Sequence, residues 1–229
     1  TSNEVLMLDS LPEEIAIYGD GAIGLEMASF FATAGSKVTL IYRHDSIQKK
    51  AHPFIQEALA DQLDFLGVTR LNSHAIKTAR VTDDGVNIVF ESADTLTTPL
   101  LLVAAGRLPN KEVISCDEIK VSIGIDTNEW FETSLKNHYA IGDCNAKVQL
   151  AHAARAQALN VTAQILGHKP KELNLEHIVK FIHTLPMSYA TVGKSRQELE
   201  KSNIVYKESM VTLNQFTYSA YNHAGKGLM

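Results

Sequence analysis

Three glycines with fixed spacing offer the clearest chemistry in the sequence. They occur in the six-residue stretch Gly19-Asp-Gly21-Ala22-Ile23-Gly24. A turn of this kind before a helix leaves backbone N–H groups and the positive helix end available to a phosphate. Gly19 permits the sharp turn, Gly21 lacks a Cβ so that a pyrophosphate can approach, and Gly24 lets helix and strand pack closely. The stretch, including Ala22 and Ile23, predicts a dinucleotide-binding site.

A second group of candidate residues follows the next apolar run. Tyr42 and Arg43 come at its end, and Lys49 lies a little further along. In dinucleotide-binding folds this position contacts the adenosine ribose, through an acidic residue for NAD or an arginine for the 2′-phosphate of NADP. A guanidinium can hold a phosphate with two charge-assisted hydrogen bonds, so Arg43 with Lys49 favours NADP. The alternative is an ordinary solvated, charged loop.

Apolar periodicity predicts the elements that position these residues. Strands are predicted at Glu14–Gly19, Lys37–Tyr42 and Leu100–Ala105, helices at Ala22–Ala34 and His52–Leu66, and a hairpin at Val81–Phe90. Gly35 is expected to end the first helix. The fully apolar run before Gly106 is typical of a buried central parallel strand. The pattern predicts an α/β fold, a Rossmann-like domain with a parallel sheet and an antiparallel insertion.

Composition excludes several classes of protein. The 229 residues are 45% apolar, with 21 basic and 26 acidic side chains and a net charge of −5. The longest clean apolar run, Leu100–Ala105, is far shorter than a membrane-spanning helix, and there is no basic stripe for nucleic acid. Cys116 and Cys144 have neither disulfide-scaffold nor zinc-site spacing, so we expect no metal, two buried small thiols and a reducing, cytoplasmic setting. Thr1 in place of methionine suggests a piece of a longer protein.

Three motifs in order give the sequence a family resemblance. The segments Gly19–Glu26, Ala105–Asn110 and Tyr139–Asp143 resemble those of FAD-dependent pyridine nucleotide–disulfide oxidoreductases such as dihydrolipoamide dehydrogenase and glutathione reductase. Leu150–Ala154 and Thr184–Gly193 are more similar to dihydrolipoamide dehydrogenase, whereas Ile41–Asp45 is similar to the NADP loop of glutathione reductases. Gly24 stands where NADP enzymes often have alanine, so the choice between NAD and NADP stays open.

The resemblance implies a domain organisation and a set of site residues. It implies an NAD(P)-binding domain at 1–110, the later part of an FAD-binding α/β domain at 111–172 and the start of an α+β dimerisation domain at 173–229. The residues implied to contact the pyrophosphate and nicotinamide are Gly19, Gly21, Ile23, Gly24, Glu26 and Gly106. Those implied to contact FAD are Asp143, for its ribityl-phosphate end, and Gln149, Leu150, Ala151 and His152, for its ring. The resemblance implies that Asp143 follows a strand at Tyr139–Gly142 and that the ring contacts lie at the start of a helix at Ala151–Leu166. Glu26 is implied to pair with a lysine of the FAD domain.

The function that the resemblance implies is hydride transfer between NAD(P)H and FAD, with electrons passing to a small disulfide substrate or a lipoyl domain in a homodimer. The redox cysteine pair, the flavin glycine motif and the C-terminal acid–base pair of the family have no counterpart at matching positions here. We therefore expect no catalytic residue in these 229 residues and little FAD binding by them alone. A non-catalytic dinucleotide-binding module, or a flavin transhydrogenase or oxidase without redox cysteines, remains an alternative.

Overall fold

The computed structural model describes residues 1–112 and 114–211, which form two compact units. Of the described residues, 1–106, 181–190 and 194–211 belong to the first unit, and 107–112, 114–180 and 191–193 belong to the second. The helices are α1 (Ser2–Val5), α2 (Ala22–Ala34), α3 (Pro53–Phe65), α4 (Ala151–Ile165) and α5 (Arg196–Lys201). The strands are β1 (Glu14–Tyr18), β2 (Lys37–Ile41), β3 (Thr69–Leu71), β4 (Ile76–Thr82), β5 (Gly85–Phe90), β6 (Thr95–Thr98), β7 (Leu101–Val103), β8 (Lys180–Ile182) and β9 (Tyr189–Thr191).

A four-stranded parallel sheet forms the centre of the first unit. Its strand order is β3-β2-β1-β7, and Ile17 of β1 lies opposite Leu40 of β2 and Leu102 of β7. Helix α2 connects β1 to β2 and buries Leu25 against this sheet. Gly35 ends α2 in the left-handed region, with φ 106°. The predicted βαβ unit and the α/β fold class are confirmed.

The sequence predicted that Leu100–Ala105 forms a central strand of the parallel sheet, and this prediction is wrong. Within the part of the chain that the structure describes, β7 pairs only with β1 and forms the edge of the four-stranded sheet. Of its residues, only Leu102 is buried. An edge strand has one neighbour to pack against, so Val103 stays 49% exposed despite its apolar character. Apolarity alone could not distinguish these two positions.

An antiparallel sheet, β4-β5-β6, stands in the chain between β3 and β7. Thr82 pairs with Gly85 across the predicted Asp83-Asp84 turn, which confirms the hairpin. Ile88 and Phe90 of β5 form one buried cluster with Ala16 and Ile41 of the parallel sheet. This cluster lets the antiparallel sheet cover one face of the parallel sheet, where many such folds place a helix.

The second unit contains α4, two short 3-10 turns at Gly142–Asn145 and Leu175–His177, and irregular chain. The strand predicted at Tyr139–Gly142 is wrong, since Tyr139 makes only an isolated bridge with Glu132. A strand needs a neighbouring strand for its hydrogen bonds, and the described part of this unit offers no sheet for residues 139–142 to join. In the residues that the structure describes, no helix is long and apolar enough to span a membrane.

Candidate functional site

The glycine loop joins β1 to α2, and each of its glycines has a different surrounding. Gly19 has φ 121°, and a Cβ built on it would lie 2.5 Å from the carbonyl oxygen of Ala104. A Cβ on Gly24 would lie 1.8 Å from the carbonyl oxygen of Gly19. Apart from its chain neighbours, a Cβ on Gly21 would have no atom of the described residues within 4 Å. Gly19 and Gly24 are therefore required by packing, whereas Gly21 keeps a space open beside the loop.

Helix α2 begins next to that space with unpaired donors. Gly21 is its N-cap residue and has no side chain to accept from the first-turn N–H groups, and the first turn contains no acidic residue. The bond from Leu25 N to Gly21 O, at 3.0 Å, starts the hydrogen bonding of the helix. Free N–H groups and the positive end of the helix dipole together favour an anion. The geometry fits a pyrophosphate at this loop.

A cavity of about 250 Å³ lies at the carboxyl ends of β1, β2 and β7 in the first unit. It is lined by Tyr18, Gly19, Asp20, Gly21, Tyr42, Arg43, His44, Ala104, Ala105 and Gly106. Ligands of open parallel sheets bind at this edge. The structure thus brings together Gly19, Gly21, Tyr42, Arg43 and Gly106 from the predicted set.

Other predicted residues of the first unit do not line this cavity. Ala22, Ile23 and Gly24 belong to the first turn of α2, behind the loop. Lys49 is exposed, and its carbonyl oxygen, rather than its ammonium group, makes contacts, with the amides of Gln56 and Gln197. The prediction for Lys49 therefore gains no support from its position.

Tyr42 and Arg43 have opposite environments. Tyr42 is 2% exposed and belongs to the main core cluster. The Asp64 carboxylate raises the pKa of Arg70 above its ordinary value, and the Tyr42 hydroxyl adds a smaller effect in the same direction. Arg43 is exposed, and in the described part of the chain its guanidinium has no hydrogen-bond or ion-pair partner. Tyr42 therefore shapes the cavity wall, while Arg43 offers an unpaired cation at its edge.

Glu26 lies on α2 beyond the glycine loop and accepts a hydrogen bond from the backbone. Its Oε1 accepts a hydrogen bond of 2.8 Å from the backbone N–H of His183. One turn further along, Ser29 Oγ accepts from the N–H of Leu185 at 3.0 Å. α2 therefore holds the segment 183–185 in the first unit through two side-chain acceptors.

The residues that the resemblance assigns to FAD lie in the second unit. Asp143 is exposed on the 3-10 turn Gly142–Asn145. The fully buried Gln157 of α4 holds this turn, since its Oε1 accepts from Gly142 N and from Asn145 Nδ2, each at 2.8 Å. Leu150 is the N-cap of α4 and, like Gly21, provides no side-chain cap.

The other three of those residues flank the N-cap of α4. Gln149, Ala151 and His152 are all exposed. The His152 ring nitrogen Nε2 lies 2.8 Å from the carbonyl oxygen of Val179, within the same unit. The start of α4 is therefore accessible, and the His152 ring also contacts the backbone of Val179.

Both cysteines are half-buried free thiols, so the expectation of two buried ones is wrong. Cys116 Sγ lies 3.7 Å from Glu118 Oε2, and Cys144 Sγ lies 3.2 Å from the carbonyl oxygen of Ile141. Both therefore contact polar atoms of neighbouring residues. Among the described residues, no cluster of His, Cys, Asp and Glu could hold a metal ion.

Sequence reasoning missed five residues that line the cavity: Tyr18, Asp20, His44, Ala104 and Ala105. Asp20 occupies a variable position of the glycine pattern, so the pattern says nothing about its side chain. His44 directly follows Arg43, and the two alanines stand between β7 and Gly106. Their proximity to predicted residues was the available signal.

Comparison with known proteins gives consistent matches. A family model described as pyridine nucleotide-disulphide oxidoreductase matches residues 1–158. Trypanothione reductase of Trypanosoma congolense is 28% identical over 233 residues, which cover 98% of this chain and 46% of that protein. Dihydrolipoyl dehydrogenase of Chlorobaculum tepidum is 32% identical over 208 residues, covering 86% and 43%.

A solved structure has the same fold. The HOCl-induced flavoprotein disulfide reductase RclA of Escherichia coli aligns with a TM-score of 0.87 at 21% identity, over 98% of this chain and 52% of that one. The chain spans about half the length of the curated relatives that it matches.

Proposed function

The chain belongs to the pyridine nucleotide-disulphide oxidoreductase family, and from that premise we propose that its first unit binds NADP(H). The pyrophosphate lies against the Gly19–Gly24 loop, and Arg43 holds the 2′-phosphate. One observation carries the proposal: an open space beside Gly21, an uncapped helix start and the unpaired guanidinium of Arg43 all meet at one cavity. The family uses FAD and NAD(P)H.

Each of these residues has a defined part in binding. The first-turn N–H groups of α2 donate to the anion, and Gly21 leaves room for it. Gly106, with φ 138°, ends the β7 segment beside the loop and lines the same cavity without a side chain. The nicotinamide supplies the hydride chemistry when it is bound, and the protein orients it.

For the whole protein we propose hydride transfer between NADPH and FAD, followed by electron transfer to a disulfide in a homodimer. The exposed Asp143 and the accessible backbone at 149–152 are the part of the flavin site that this chain contributes. Relatives named trypanothione reductase and dihydrolipoyl dehydrogenase support a disulfide as the substrate class. The two substrate classes proposed are a lipoyl group carried by a protein domain and a small soluble disulfide.

Substitution at Gly21 tests the nucleotide site directly. Gly21 has φ −71°, which any residue can adopt, and its Cβ would meet no atom, so Gly21→Ala and Gly21→Val should keep the wild-type melting temperature. The added methyl groups fill the space that the pyrophosphate needs. We expect progressively weaker NADPH binding in calorimetry, with none detectable for Gly21→Val. Unchanged affinity in a folded Gly21→Val protein would refute the assignment.

A further inference from the structure

Asp20 places a carboxylate where a phosphate is proposed to bind. It lies between Gly19 and Gly21 in the glycine loop and lines the same cavity. By charge alone an aspartate here opposes binding, since like charges at close range repel. Its side chain has a specific partner, because Asp20 Oδ2 accepts a hydrogen bond of 2.8 Å from the backbone N–H of Gln48. The side-chain amide of Gln48 in turn donates to the carbonyl oxygen of Asp20.

Gln48 belongs to the loop between β2 and α3, which also contains Arg43. Gln48 has φ 45°, a left-handed conformation that costs free energy in a residue with a side chain. Its two contacts with Asp20 cross 28 positions in the sequence and join this loop to the glycine loop. The two parts of the proposed nucleotide site are therefore physically connected.

Two amide side chains also hold this loop. Gln56 Nε2 donates to the carbonyl oxygen of Ala51 at 2.9 Å and to that of Lys49 at 3.2 Å. Asn72 Nδ2 donates to the carbonyl oxygen of Asp45 at 3.1 Å. The contacts between Gln48 and Asp20, by contrast, connect this loop to the glycine loop. An ordered loop loses less conformational entropy when its arginine binds a ligand.

We propose that Asp20 is a positioning residue that sets the preference for NADPH over NADH, by ordering the loop that presents Arg43. This inference rests on the proposed NADP(H) site. The charge of Asp20 and its ordering of the loop predict opposite changes in NADPH affinity for Asp20→Ala. Loss of the negative charge strengthens binding of the more anionic NADPH, whereas loss of the hydrogen-bond acceptor releases the loop and weakens NADPH alone. The sign of the change in affinity distinguishes the two effects.

The test is calorimetric titration of the 229-residue chain with NADPH and with NADH. For Asp20→Ala we expect NADPH affinity to fall by about fivefold or more, with NADH changed by less than about twofold. Asp20→Asn keeps an acceptor and loses the charge, so it should bind NADPH at least as well as the wild type. Asp83→Ala in the β4–β5 turn removes the same charge elsewhere and should change neither affinity.

Two further variants make the test specific. Gln48→Ala removes the second hydrogen bond of the pair and should also lower NADPH affinity selectively. In an Arg43→Ala background, Asp20→Ala should cause no additional loss, because its effect acts through Arg43. Equal losses for both nucleotides, no loss, or tighter NADPH binding by Asp20→Ala would overturn the inference and leave the nucleotide site standing. If the wild type binds neither nucleotide, the proposed function fails and the inference with it.

Discussion

Arg43 is the side chain that most directly separates the two nicotinamide nucleotides. Its guanidinium lies at the cavity edge without a partner among the described residues, so binding a phosphate breaks no existing ion pair. Charge-assisted hydrogen bonds contribute about 1.5–3 kcal/mol each. We therefore expect Arg43→Ala to weaken NADPH binding by about tenfold or more and to leave NADH binding unchanged.

Lys49 provides the matched control for that measurement. Lys49→Ala removes the same charge from the same loop as Arg43→Ala does, but the side chain of Lys49 does not line the cavity. Lys49→Ala should shift NADPH affinity by less than about twofold in the same titration, since an exposed cation outside a site contributes little. A loss for Lys49→Ala as large as that for Arg43→Ala would show that general loop charge, rather than Arg43, attracts the phosphate.

At the scale of elements, α2 and α3 hold residues 183–187 through polar side chains. Gln62 of α3 is 5% exposed, and its Nε2 donates to the carbonyl oxygen of Leu185 at 2.7 Å. Replacing it with an apolar side chain removes this partly buried hydrogen bond, which contributes about 0.5–1.5 kcal/mol. We expect Gln62→Leu to lower the free energy of unfolding by this amount in urea titrations.

The control for Gln62→Leu is the same substitution at an exposed position. Gln197→Leu on α5 removes a longer hydrogen bond, 3.3 Å to the carbonyl oxygen of Lys49, and we expect a change within about 0.5 kcal/mol. Equal stability losses for the two variants would mean that the Gln62 contact does not anchor the segment.

The elements show which parts of the fold the sequence determines locally. β1, α2 and β2 follow the predicted bounds within a residue, because apolar spacing and the flanking glycines are properties of neighbouring residues. The edge position of β7 and the absence of a strand at 139–142 depend on which other strands are available for pairing. The contact between Asp20 and Gln48 likewise joins distant positions, and periodicity carries no signal for it. The candidate site was thus predictable at its glycines and at Arg43, and not at Asp20.

At the scale of the whole molecule, the chain carries one G-x-G-x-x-G loop, which the proposal assigns to NADP(H). The proposed flavin contacts are one exposed turn at Asp143 and one helix start at 149–152, where Gln149, Ala151 and His152 are exposed. Two such contacts bury little of a large cofactor. We therefore expect the purified 229-residue protein to be colourless and to lack disulfide reductase activity while it still binds NADPH. A stoichiometric flavin absorption band that survives gel filtration would contradict this expectation.

The central claim is that the first unit is a nucleotide site that recognises the 2′-phosphate. Calorimetric titration of the wild-type chain with NADPH and NADH under identical salt and pH tests it most directly. The account predicts one NADPH site per chain. It also predicts that NADH binds at least about tenfold more weakly than NADPH, because NADH lacks the group that Arg43 holds. Equal affinities, or a preference for NADH, would contradict the role of Arg43, and no binding of either nucleotide would contradict the site itself.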